Sequence, residues 1–205
     1  MIVVPDLLFS LPRLAEVYDA LDPDRGDLEV YAALLAELGA QSVMDVGCGT
    51  GTLAVMLAAQ GLEVVGVDPA QASLGVAVRK PDADRASWVC ADATALPPVA
   101  VDAVTMTGNV AQVFVDDEDW ATALQAAWRV LSPGGHLVFE IRNPDAQAWR
   151  TWTREASYRK AVISDGVVEN WFEVTDVAPS FGEPEIREAP DRPGLEHVFI
   201  ARKPP

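Results

Sequence analysis

The chain has 205 residues, half of them apolar, enough for one well-packed domain and short for two. Its 31 acidic side chains outnumber 15 basic ones and give a formal charge of −16. Such a surface repels phosphate backbones and argues against bulk nucleic acid as a partner. The densest basic stretch, residues 150–160, also holds Glu155 and reads as a mixed solvated face.

Residues 1–6 carry no basic leader, Asp6 and Pro12 interrupt the first apolar stretch, and no run is apolar enough to span a bilayer. Neither export by a cleaved signal nor a membrane partner is expected. Cys48 and Cys90 form no spaced framework of the secreted kind, so the reducing cytoplasm is the expected location. Nothing in the sequence fixes an oligomeric state.

In chain order, Pro12–Leu21 and residues 27–38 are predicted amphipathic helices. In the second, Leu28, Tyr31, Leu34, Leu35 and Leu38 recur at helical spacing and Gly39 supplies the stop. Residues 22–26, Asp-Pro-Asp-Arg-Gly, are turn material between them. Ser42–Val46 is then a short apolar run ending in glycines, and 52–60 is helix-like, closing at Gly61. Apolar runs follow at 62–67, 87–91 and 102–107. Residues 120–131 are helix-like, with Asp116 and Asp117 as N-cap candidates and Pro133-Gly134-Gly135 as terminator. Residues 136–141 form the fifth strand candidate, and 144–154 read as helical. Toward the C-terminus, 158–163 and 167–174 flank the turn signal Ser164-Asp165-Gly166, and 185–189 and Glu196–Arg202 form a second antiparallel pair.

Short apolar strands alternating with helices predict an α/β fold. It is a doubly wound, mostly parallel sheet of the seven-stranded type, with helices on both faces and an antiparallel C-terminal hairpin. The expected organisation is one domain over 1–205. It comprises N-terminal helices (1–40), a binding core (41–143) and an abbreviated C-terminal region (144–205). In such sheets ligands bind beyond the carboxyl ends of the strands, which makes the residues after each apolar run the candidates.

Three of those strand ends stand out. The first is Asp45-Val46-Gly47-Cys48-Gly49-Thr50-Gly51, a strand entering a glycine-rich turn with a helix beyond. Glycines let a backbone turn tightly and approach a ligand without a Cβ clash, and the helix start offers amides. Thr52 stands where the dinucleotide fingerprint needs glycine, which disfavours a nicotinamide-dependent oxidoreductase. The second is Val64-Val65-Gly66-Val67-Asp68, an acid about twenty residues further on, the spacing at which a carboxylate meets ribose hydroxyls. The third is Val89-Cys90-Ala91-Asp92-Ala93.

Together these resemble the class I S-adenosylmethionine-dependent methyltransferases, best over residues 28–143. Residues 102–109 look like that family's fourth strand, and 131–137 like its turn into the fifth. The resemblance implies S-adenosylmethionine as cofactor, S-adenosylhomocysteine as product and a small-molecule methyl acceptor as partner. It implies a cofactor-binding set of Asp45, Gly47, Cys48, Gly49, Gly51, Asp68, Pro69, Asp92, Ala93 and Asn109. Gly47 and Gly49 would admit the methionyl part, Asp68 would hold the ribose diol, Asp92 and Ala93 would meet the adenine, and Asn109 would line the sulfonium side. Tyr18 either closes over the cofactor from the N-terminal helices or packs on the core.

Methyl transfer from a sulfonium is a displacement with a built-in leaving group, so proximity and alignment are the protein's main contribution. No catalytic triad and no metal cluster is visible, and the isolated His136 and His197 read as structural. Arg142, past strand five, either pairs with a substrate carboxylate or is a solvated strand-end charge. Trp149, Trp152 and Trp171 are candidates for a substrate wall, with helix-face packing the preferred reading of the first two. The shortened C-terminal region keeps open the alternative of a non-catalytic cofactor-binding or partner-binding protein with the same fold.

Overall fold

A computed structural model describes residues 5–163, 166–172, 187–188 and 196–204. Three helices lead: α1 (Leu7–Ser10), α2 (Pro12–Leu21) and α3 (Asp27–Glu37). Asp6 caps α1, its carboxylate accepting from the Leu8 amide at 2.8 Å. Pro12 opens α2, a position where no N–H is missed. The alternating core follows as β1 (Ser42–Val46), α4 (Thr52–Ala59), β2 (Glu63–Asp68), α5 (Gln71–Ala77), β3 (Ala86–Cys90), β4 (Val101–Met106), α6 (Asp117–Val130) and β5 (Leu131–Arg142). The C-terminal region adds α7 (Arg154–Ser157), β6 (Arg159–Ile163), β7 (Gly166–Asn170), β8 (Arg187–Glu188) and β9 (Glu196–Arg202).

The main sheet runs β3-β2-β1-β4-β5-β9-β8. Its first five strands are parallel, β9 is antiparallel to β5, and the two-residue β8 is antiparallel to β9. β6 and β7 form a separate antiparallel hairpin. Successive residues of a strand face opposite sides, and here both sides are apolar. Val43, Ala103 and Val138 pack with Leu28 and Leu35 of α3 and Leu53 and Leu57 of α4. Met44, Val104 and Leu137 pack with Ala123, Ala127 and Val130 of α6. A sheet buried on both faces needs continuous apolar strands, which is why these runs show no alternation. The chain leaves β1 toward β2 and β3 on one side and returns to β4 and β5 on the other, so a crevice opens at the carboxyl ends of β1 and β4.

Three expectations change. Residues 144–154 do not form one helix: Gln147, at φ +48, divides two 3-10 turns, Pro144–Ala146 and Ala148–Thr151, before α7 begins. Helix α5 occupies a stretch that shows no helical pattern; with seven residues and an internal glycine its apolar period is too short to register. β5 begins at Leu131, so Pro133-Gly134-Gly135 lies within the strand and not after a helix that reaches residue 131. The predicted turn residues Ser164 and Asp165, residues 173–174 of the predicted seventh strand, the loop at 176–184 and the side chain of His197 lie outside the described residues.

Candidate functional site

A cavity of about 440 Å³ occupies the crevice at the carboxyl edge. Asp45, Gly47, Cys48 and Gly49 line it from the first loop, Asp68 and Pro69 from the second, and Asp92 and Ala93 from the third. Eight of the ten candidate cofactor residues therefore share one wall system. Gly51 and Asn109 are not part of the lining, although Gly108 and Val110 are. A shallower hollow of about 390 Å³ between residues 94–100 and α6 has Arg129 as its one ionisable lining residue and offers no comparable constellation.

The first loop is folded onto the end of β2. The Gly47 and Cys48 amides both donate to the Val67 carbonyl, at 2.8 and 3.1 Å, and the Gly51 amide donates to the Cys48 carbonyl at 2.8 Å. Gly47, Gly49 and Gly51 all take positive φ, at +73, +55 and +77, a region that suits glycine. Their surroundings differ. A Cβ on Gly47 would come within 2.4 Å of Val110, and one on Gly51 within 2.4 Å of the Trp88 ring, whereas one on Gly49 would meet nothing within 4 Å. Gly51 is thus kept small by Trp88, whose indole N–H is held by the Ala83 carbonyl at 3.0 Å.

The acids differ as well. Asp45 is buried and accepts from Thr105 Oγ1 at 2.8 Å. Burial pushes its carboxyl up to about 7; the Asp68 charge adds to this, while the Thr105 bond and Arg25 oppose it. Burial, helped by Asp45 and Asp68, likewise pushes the Cys48 thiol well up, so it is held protonated. Asp68 Oδ2 accepts from the Gly49 amide at 2.8 Å and Oδ1 from the Ala70 amide at 2.7 Å. Burial raises its carboxyl despite these two bonds. Asp92 accepts from the Thr94 amide at 2.8 Å and from the Thr94 hydroxyl.

The turn after β4 is pinned by Glu140, a buried acid of β5 whose Oε1 accepts from the Gly108 amide at 2.7 Å and the Asn109 amide at 3.1 Å. Asn109 takes φ +63, and its side-chain oxygen is buried without a hydrogen-bond partner among the described residues. Arg142 donates to Gln112 Oε1 at 3.0 Å and lies 4.9 Å over the Trp152 ring. Arg154 lies 4.2 Å over the Trp171 ring. Trp152 and Trp171 are thus cation partners. The N-terminal helices close the remaining side of the cavity with Phe9, Tyr18 and Arg25. The Tyr18 ring meets both alternatives, lining the cavity and packing against Phe9 at 5.3 Å between centroids. Phe9, Arg25, Thr105, Val110 and Phe114 carry no local sequence signal. Thr105 is found only once strand pairing sets it beside Asp45.

Residues 43–135 match the family model described as a methyltransferase domain. The chain is 42% identical over 111 residues to a demethylmenaquinone methyltransferase from Thermus thermophilus, covering 51% of this chain and 49% of that protein. It is 32% identical over 145 residues to a ubiquinone biosynthesis O-methyltransferase from Alkalilimnicola ehrlichii, covering 68% and 57%. The chain thus spans about half the length of these curated relatives. A crystal structure of an S-adenosylmethionine-dependent methyltransferase from Clostridium acetobutylicum superposes with a TM-score of 0.67 at 14% identity, over 94% of this chain and 98% of that one. The fold is therefore that of the class I S-adenosylmethionine-dependent methyltransferases. Within it, residues 43–135 are similar to the methyltransferase domain that this model describes.

Proposed function

We propose that the chain transfers a methyl group from S-adenosylmethionine to a small-molecule acceptor and releases S-adenosylhomocysteine. The observation that carries this reading is the convergence of Asp45, Asp68 and Asp92, from three adjacent parallel strands, on one cavity beside the open face of Gly49. An acid-lined crevice suits a cofactor bearing a sulfonium and an ammonium, because opposite charge offsets their desolvation. Open space at the Gly49 Cβ position suits close approach of ligand to backbone. When bound, the cofactor supplies an activated methyl group and its own leaving group. In this reading Gly47, Cys48 and Gly49 form the floor for the methionyl part, Asp68 and Pro69 face the ribose, and Asp92 and Ala93 face the adenine. Asp45 answers the cationic end, and Gly51 and Asn109 shape the flanking turns. Phe9, Val110 and Phe114 exclude water from the acceptor side, where proximity and alignment set the rate.

Relatives named for quinone biosynthesis support a small-molecule acceptor. The acidic surface speaks against bulk nucleic acid, and we place the protein in the cytoplasm. Among the described residues no helix is long and apolar enough to cross a membrane.

Thermal shift tests the cofactor. S-adenosylhomocysteine at about a hundred times its Kd should stabilise the chain by roughly 2.7 kcal/mol, and NAD should not. Stabilisation by NAD with no response to either adenosyl compound would overturn the reading. Release of S-adenosylhomocysteine, screened across amine, carboxylate, phenol and thiol acceptors, then identifies the methyl acceptor. Tight binding without turnover of any of them would favour the non-catalytic alternative.

A further inference from the structure

We infer that Asp19 and Lys80 are positioning residues that latch the N-terminal helices over the cofactor and set its release rate; this rests on reading the cavity as the cofactor pocket. One wall of that cavity comes from Phe9, Tyr18 and Arg25, on or beside α1 and α2, which belong to no sheet. The polar ties of these helices run to α5 and the turn behind it. Ser73 Oγ donates to the Phe9 carbonyl at 3.0 Å, Arg79 pairs with Glu16, and the Lys80 ammonium lies 2.7 Å from Asp19 Oδ2. Glu16 and Asp19 are three apart on α2 and so share a face. In a chain with twice as many acids as bases, two consecutive cations meet that acidic face.

Lys80 and Asp19 also reach the glycine-rich loop. Thr50 Oγ1 donates to Asp19 Oδ1 at 2.6 Å, and Lys80 donates to Thr52 Oγ1 at 2.6 Å and Thr50 Oγ1 at 3.4 Å. Thr50 and Thr52 line the cavity, while Asp19 and Lys80 stand behind it. One ammonium and one carboxylate thus close a ring through three parts: the helices that carry Phe9 and Tyr18, the loop that would cradle the methionyl group, and the turn after α5. In this inference, a ligand covered on that side leaves as the helices lift. The polar ties that resist lifting are ion pairs and hydroxyl bonds, beside the buried Ala15 and Val17 of α2, and they can open without unfolding the sheet.

The test measures S-adenosylhomocysteine association and release by stopped flow for the wild type, Lys80→Met, Asp19→Asn and the double variant. Methionine retains most of the lysine stem's packing. Each single variant should release the ligand about fivefold faster, the fold-change expected of a partly buried ion pair. Association should quicken by a similar factor, because the latch is also closed without ligand and entry uses the same opening, and the double variant should be no faster than the singles, because both remove the same tie. Raising salt from about 0.1 M to about 1 M should speed wild-type release and affect Lys80→Met less, since screening acts on the pair. Hydrogen exchange of the α1 and α2 amides, measured without ligand, should quicken in Lys80→Met by a similar factor. Unchanged release in folded variants of a wild type that binds overturns the latch, as does fully additive behaviour. A wild type that does not bind S-adenosylhomocysteine overturns the cofactor reading instead. The exchange measurement then decides the latch by itself, and unaltered protection refutes it.

Discussion

The Gly49 amide donates to Asp68 Oδ2 at 2.8 Å, so the acid that ends β2 holds the loop that follows β1. The Ala70 amide takes the other oxygen at 2.7 Å. A strand-end acid reserved for ribose is expected from sequence to have no partner before ligand arrives. Asp68 instead has two, because the loop folds back over β2 and its amides need an acceptor.

Removing this carboxylate should therefore cost twice. Asp68→Ala is expected to lower apo stability by at least about 1.5 kcal/mol, the smaller value for one hydrogen bond to a charged group. It should also weaken S-adenosylhomocysteine binding by more than about tenfold. Calorimetric unfolding and titration on one preparation measure both. Unchanged stability would contradict the tether, and unchanged affinity in a folded variant would remove Asp68 from the binding surface.

The glycines of the first loop should separate into two kinds. Gly49→Val should leave the sheet folded, at a cost of about 1–2 kcal/mol for its positive φ, and abolish cofactor binding, because its Cβ points into open space beside the cavity. Gly51→Ala meets the Trp88 ring and should cost about 1–3 kcal/mol or more through overpacking. Trp88→Val should recover part of that loss. Thermal melts of the two single variants and the Gly51/Trp88 double variant distinguish these cases; equal behaviour of Gly49→Val and Gly51→Ala would refute the distinction.

Asp45 predicts a pH dependence. Its carboxyl moves from an ordinary 3.8 in the unfolded chain to about 7 in the folded one, driven by burial. Between those values the folded chain holds a proton that the unfolded chain has lost. The stability it contributes is thus full below about pH 4 and lost as pH rises to about 7. Asp45→Asn keeps an oxygen for Thr105 and removes this slope. At pH 8 the variant should be more stable than the wild type by up to about 4 kcal/mol. If a cationic cofactor lies against Asp45, wild-type affinity should rise between about pH 6 and 8, and the variant's should not. Parallel slopes of stability against pH in the two proteins would contradict the buried, protonated state.

The parallel strands are legible in the sequence because both faces are buried: Ser42–Val46 emerges with its observed limits, and the other edges shift by a residue or so at β2, β3 and β4. The cofactor loop is legible because its glycines and acids sit at strand ends, where periodicity stops. What is not legible depends on contacts distant in sequence. Trp88 reads as one more apolar strand residue until its ring is seen against Gly51 and Gly66. Thr105 reads the same way until it is paired with Asp45. Glu140 carries no signal of its role in the sequence, yet it serves the backbone turn at Gly108 and Asn109. The stretch at 144–154 has helix-forming residues, but Gln147 adopts a left-handed conformation that breaks it.

The direction of β9 has a practical consequence. Because it runs antiparallel to β5, it starts opposite Arg142 at the cavity edge and finishes opposite His136 at the other edge. The Gly134 amide then donates to the Lys203 carbonyl at 3.0 Å, and the Lys203 ammonium reaches the Leu131 carbonyl at 2.6 Å. Anything attached after Lys203, such as an affinity handle, a fluorophore or a surface linker, therefore departs from the side of the sheet remote from the crevice. Pro5, by contrast, is itself part of the cavity wall, so an attachment ahead of it starts beside the crevice. Immobilisation for binding measurements should accordingly use the carboxyl-terminal end, which leaves the ligand's approach unobstructed.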